Sequence, residues 1–192
     1  MLSSPPRSNN HPVFFEGGAI AFGLSLRDAE QCFDVLRTVL TLWPFKASVE
    51  MIYLLPLIIS FQQGNLRLLA ALEGRSLDAL QKEELRPLES WSVNFKDRPG
   101  SLGKPPTVRS VSVYSILNEL FRLMEKSLQD ATSVNSAAAQ TRWLTDRLAD
   151  ELQREHGGRR RSGEALRTVL LNYPTLVQSA GRFKASPEQS AQ

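Results

Sequence analysis

The sequence predicts an α/β front half followed by an all-helical back half. Three observations carry that expectation. Val49 to Ser60 is a nearly unbroken apolar run, rich in the residue types of a strand buried on both faces. A glycine turn and a run of helix formers follow it directly, and the chain beyond residue 107 carries two apolar stripes at helical spacing. At 192 residues, one domain with extensions is expected rather than two equal domains.

Residues 1–12 and 184–192 are rich in Ser, Pro, Asn, Gln and Ala and are expected to be flexible tails. The α/β core, 13–87, opens with Val13-Phe14-Phe15 and Ala19-Ile20-Ala21-Phe22, read as two short strands about a Glu16-Gly17-Gly18 turn. Ser25 and Asp28 have capping-box spacing, and Leu26, Ala29, Phe33, Leu36 and Leu40 predict a helix over about 26–42, ended by Trp43-Pro44. The strand over 49–60 comes next, with Pro56 splitting it or marking a bulge. Asn65 to Glu73 predicts a short helix closed by Gly74 as its C-cap.

Residues 88–107 hold Pro99, Gly100, Gly103, Pro105 and Pro106 and predict an irregular loop. The helical region, 108–183, is expected to pack on the core. Val113, Leu117, Leu120, Met124 and Leu128 predict one helix (about 112–130), and Trp143, Leu144, Leu148 and Leu152 a second (about 138–156). Gly157-Gly158 breaks the second, and a last helix runs from Ser162 to Asn172, where Tyr173-Pro174 stops it.

Composition excludes several classes. Hydrophobic content of 42% and charged content of 22% match a folded globular chain. A net charge of +3 gives too weak a field to argue for nucleic acid, so any basic signal must be local. One cysteine and two histidines exclude a disulfide framework and a Cys/His zinc site. Met1 to Asn10 has no apolar core of a secretory signal, and Val49 to Phe61 is too short and carries Glu50 and Pro56, so no membrane span is expected. The expectation is a cytoplasmic protein.

Gly64-Asn65-Leu66-Arg67 is the leading candidate site. Between a strand and a helix, a glycine turn gathers helix N-terminal amides where the macrodipole also favours an anion. Gly64 permits a positive φ, Asn65 can cap the helix, and Arg67 adds a guanidinium fork for phosphate oxygens. The same four residues also describe a plain structural turn.

The longer string from Ile58 to Gly74 resembles the ParB/sulfiredoxin superfamily, whose members carry an apolar strand, a Gly-x-x-Arg turn and a helix with alanines and a closing glycine. In size and architecture the chain looks like the oncogenic-suppression family of plasmid-encoded fertility-inhibition factors, which block DNA transfer through a type IV secretion system. The resemblance implies ATP hydrolysis and DNA cleavage, with Gly64, Asn65 and Arg67 on nucleotide or DNA phosphates and a divalent cation, magnesium, activating water. Two positions depart from the pattern. Gln63 stands where many members have an acid, and Leu66 where many have His or a second Arg.

Other residues have a functional and a bland reading. Glu16, beside two glycines, is the most attractive acid for catalysis or metal binding, against a solvated turn glutamate. Arg159, Arg160 and Arg161, after Gly157-Gly158, can lie along a DNA backbone, or can form a solvated helix end partly neutralised by Glu155 and Glu164. Trp43, Trp91 and Trp143 read as core or interface anchors, and Cys32 as a buried small residue. Two other functions compete with the enzyme. One is a non-catalytic inhibitor that binds a component of the transfer machinery through an exposed stripe of Leu117, Leu120, Phe121 and Met124. The other is a DNA-binding regulator that uses the arginine cluster.

Overall fold

The computed structural model describes residues 2–3, 11–43, 49–96, 108–125, 143–144, 146, 148 and 162–182. These residues form a mixed α/β structure that is mostly helical. The elements are helices α1 (His11–Phe22), α2 (Leu26–Thr41), α3 (Met51–Gln62), α4 (Leu66–Glu73), α5 (Lys82–Ser90), α6 (Val113–Glu125) and α7 (Ser162–Arg182), with two small sheets. In one, β1 (Leu2–Ser3) runs parallel to β2 (Val49–Glu50). In the other, β3 (Ser92–Lys96) pairs antiparallel with β4 (Val108–Ser112), with Val93 opposite Val111.

The centre is α3, not a strand. All ten residues from Met51 to Ser60 are buried, and α1, α2, α4, α6 and α7 pack around them. A helix buried all round is apolar all round, and a run of this length exceeds an ordinary strand. As a helix the run satisfies its own backbone groups, whereas a doubly buried strand needs a partner along each edge. Pro56 costs about 3 kcal/mol by removing a helical hydrogen bond, and Ser60 turns its hydroxyl back to the Pro56 carbonyl at 2.7 Å. Burial of Leu54, Leu55, Leu57, Ile58 and Ile59, each almost fully covered, outweighs that cost at about 1.5–3 kcal/mol per side chain.

Residues 13–22 likewise form a helix where two strands were expected. Phe14, Gly18 and Phe22 recur at i, i+4 and i+8, so one side of α1 meets the core. Gly17 and Gly18 lie inside the helix beneath Trp91: a Cβ on Gly18 would stand 2.8 Å from the indole, and one on Gly17 3.1 Å. Trp91 stacks on Phe14 with centroids 4.5 Å apart and donates its Nε1–H to the Phe14 carbonyl at 3.1 Å. The glycine pair is a seat for an indole, not a turn.

α2 follows its expected bounds within a residue, and its capping box forms: Ser25 Oγ accepts from the Asp28 amide, and Asp28 Oδ2 accepts from the Ser25 amide. Within the expected loop 88–107, α5 reaches Ser90 and β3 covers 92–96. Alternation explains β3, since Val93 and Phe95 are buried while Ser92 and Asn94 face out. β4 opens the back half, so that half is not all-helical, and α6 begins at Val113. The predicted helix over 138–156 falls largely outside the described residues. α7 runs through Tyr173-Pro174, because Tyr173, Val177 and Ala180 all reach the core and their burial outweighs one lost backbone bond. Tyr173 stacks on Trp43 and accepts the Glu50 amide at 2.6 Å.

Candidate functional site

The predicted turn joins two helices, α3 and α4, and its backbone groups serve both. Gly64 has φ +64°, the left-handed conformation its identity predicts. Its N–H donates to the Phe61 carbonyl at 3.2 Å, and the Asn65 N–H to the Ser60 carbonyl at 2.9 Å. This pair of bonds is a Schellman motif closing α3. Asn65 then caps α4, its Oδ1 accepting from the Leu68 amide at 3.1 Å. One residue therefore ends one helix and starts the next.

Arg67, 61% exposed in its side chain, holds Glu84 Oε1 of α5 at 3.1 Å. The other oxygen of Glu84 accepts the Gln81 amide at 2.8 Å, so this carboxylate ties α4 to the first turn of α5. Gln63, at the position where the superfamily often has an acid, donates its amide to the Phe22 carbonyl at 2.9 Å and ties the turn to the end of α1. Gly74 is the C-cap of α4, as its sequence position predicts, with φ −73°, and Arg75 after it takes the left-handed conformation at φ 55°. The Ser76 and Arg75 amides close that end on the Ala71 and Leu72 carbonyls.

Beside the turn lies a cleft of about 700 Å³ between α1 and α5. Its apolar lining includes Ile20, Phe22, Pro87 and Trp91, and Glu83 and Arg86 supply its charges. Phe22 carries the carbonyl that Gln63 holds, and Glu83 neighbours the Glu84 that Arg67 holds, so Gln63 and Arg67 each anchor next to a cleft residue. Ile20 is 74% exposed at the cleft, and Val13, two turns away on the same side of α1, is 56% exposed. Sequence reasoning missed this feature because it placed these residues in strands. The signal was there: α1 is apolar on both faces with Glu16 as its one acid, more apolar surface than one buried face can use.

The remaining candidates are dispersed. Glu16 is an exposed residue in the middle of α1, not a turn acid at a strand end. Arg159, Arg160 and Arg161 lie outside the described residues. Leu117, Leu120 and Phe121 are buried in the core, which corrects the expectation of an exposed stripe on α6. Trp91 is a core residue, and Trp143 packs edge-on against Phe95 with Arg109 over its ring, consistent with their reading as anchors. Cys32 is fully buried, and desolvation pushes its thiol up to about 12. Among the described residues no three His, Cys, Asp or Glu side chains come together as a metal site, and no helix is long and apolar enough to cross a membrane. Comparison with known proteins finds no matching family model, no similar curated protein and no similar solved structure.

Proposed function

We propose that this chain is a non-catalytic inhibitor that works in the cytoplasm by binding a component of a DNA-transfer machinery of the type IV secretion class. The observation that carries the binding reading is the uncovered apolar side of α1 beside the α1/α5 cleft, where Ile20 stands 74% exposed. The Gly64 turn supports it from the other direction. Its glycine serves a helix cap, its asparagine side chain caps α4, and its arginine is engaged with Glu84. The DNA-transfer setting rests on the resemblance of residues 58–74 to the ParB/sulfiredoxin superfamily and its fertility-inhibition members.

A second reading keeps the chemistry that the same resemblance implies: a ParB/sulfiredoxin-type ATPase and DNase with Gly64, Asn65 and Arg67 on the phosphates of ATP or DNA. Magnesium would supply a Lewis acid there, and Glu16 and Arg67 would be the catalytic side chains. It is favoured by the left-handed Gly64, the Asn65 cap and the solvent-facing Arg67. The helical α3 in place of the superfamily's strand weighs against it.

Conjugative transfer from a donor expressing wild type, Ile20→Asp or Arg67→Ala separates the two, alongside ATP hydrolysis and plasmid nicking by the purified proteins with magnesium. Binding predicts inhibition that Ile20→Asp abolishes and Arg67→Ala spares, with no turnover. Turnover lost in Arg67→Ala establishes the enzyme instead. A wild type that leaves transfer unchanged removes the DNA-transfer setting.

A further inference from the structure

The face formed by α1 and α5 carries an exposed isoleucine, an open cleft and two opposite charges. Ile20 projects at the lip of the cleft, and the cleft, about 700 Å³, is large enough to receive a branched aliphatic side chain and its neighbours. Glu83 and Arg86 are exposed residues of α5 that both line this cleft, one helical turn apart. Along the α5 axis the face therefore reads negative, then positive.

We propose that the occupant of this face is a second copy of the chain, in a two-fold symmetric dimer. A two-fold axis perpendicular to α5 sets α5 and its copy antiparallel. Glu83 of each chain then meets Arg86 of the other, and each Ile20 enters the opposite cleft. An isologous interface needs a self-complementary patch, and an apolar knob beside its own receptor with a reversed charge pair satisfies that need without any other protein. A foreign helix would have to bring a matching knob and charge order; a second copy brings both by symmetry. Val13 is a second exposed apolar residue two turns along the same side of α1, and Glu16 lies exposed between it and Ile20. The inference rests on reading the α1/α5 face as an interaction surface and names its partner. A protein of the transfer machinery that uses this face must then compete with the second copy.

The test is the mass of the full-length chain by sedimentation equilibrium, from low to high micromolar concentration. Wild type is expected to approach the dimer mass. Ile20→Asp places an unpaired charge in the interface and is expected to weaken association about tenfold or more, as is Arg86→Glu, which sets four acids together. Glu83→Arg combined with Arg86→Glu restores the alternation and is expected to restore the dimer. Circular dichroism and cooperative melting verify that these exposed substitutions leave the fold intact. A wild type that stays monomeric, or a dimer indifferent to both single substitutions, overturns the proposal. Mass is read without any transfer machinery, so the two proposals fail separately. A monomer whose transfer inhibition still depends on Ile20 refutes the dimer and leaves the binding protein, whereas a dimer without transfer inhibition does the reverse.

Discussion

Trp91 rests on Gly18 so closely that a single methyl group there would stand 2.8 Å from its Cη2 and Cζ2 atoms. The indole is 1% exposed and hydrogen-bonded to Phe14, so it has no free direction in which to move. Gly18→Ala is expected to destabilise the protein. Overpacking costs about 1–3 kcal/mol, more than the roughly 1 kcal/mol that alanine returns in helix propensity. Thermal unfolding should report a Tm lower by about 2–4 °C per kcal/mol lost.

Gly64 presents the opposite case, since a Cβ there would meet nothing within 4 Å and only the backbone conformation matters. Gly64→Ala is expected to cost about 1 kcal/mol through left-handed strain, and Gly64→Asn less, because asparagine tolerates that conformation. Equal losses for the two substitutions in chemical denaturation would contradict this account of the Schellman motif.

Arg75 occupies the left-handed position after α4 at φ 55°, one residue beyond the glycine. Arg75→Gly should therefore raise stability by about 1 kcal/mol, read as a higher denaturant midpoint at unchanged slope.

Arg67 and Glu84 should respond unequally to truncation. Their ion pair joins a largely exposed guanidinium to a mostly covered carboxylate and contributes about 1 kcal/mol, so Arg67→Ala is expected to cost no more than that in stability. Glu84→Ala removes the same pair and also the acceptor of the Gln81 amide. It should cost about 1 kcal/mol more than Arg67→Ala, and a double-mutant cycle isolates the pair itself.

Alkaline pH should destabilise the fold through Cys32 and Tyr53. Burial raises the Cys32 thiol from 9.0 to about 12 and raises the Tyr53 phenol as well. Each folded-state value lies above its unfolded one, so the folded chain keeps protons that the unfolded chain releases. Stability is then full below pH 9 and falls between there and about 12. Cys32→Ala should show a shallower decline over that window. The native thiol should also resist disulfide reagents at pH 8 until denaturant is added.

Helix α2, the left-handed Gly64 and the Asn65 cap were legible in the sequence because each depends on a few neighbouring residues. A capping box, a positive φ and a helix N-cap are decided within about one turn of chain. α1 and α3 were not legible, since aromatic and β-branched residues there favour a strand locally. Their length and i, i+4 recurrence pointed to helix, but Gly17-Gly18 and Pro56 obscured it. What turned those two segments into helices is contact with distant residues. Trp91, some seventy positions after Gly18, converts a glycine pair from a turn into a packing surface. Five helices closing round α3 make a self-satisfied helix the cheapest way to bury ten residues at once. By itself the sequence determined the caps, the turn conformation and the apolar segments. The tertiary structure alone decided what the turn connects, that Arg67 binds Glu84, and that α1 keeps one apolar side at the surface. Those depend on which segments meet, and burial settles that over the whole chain.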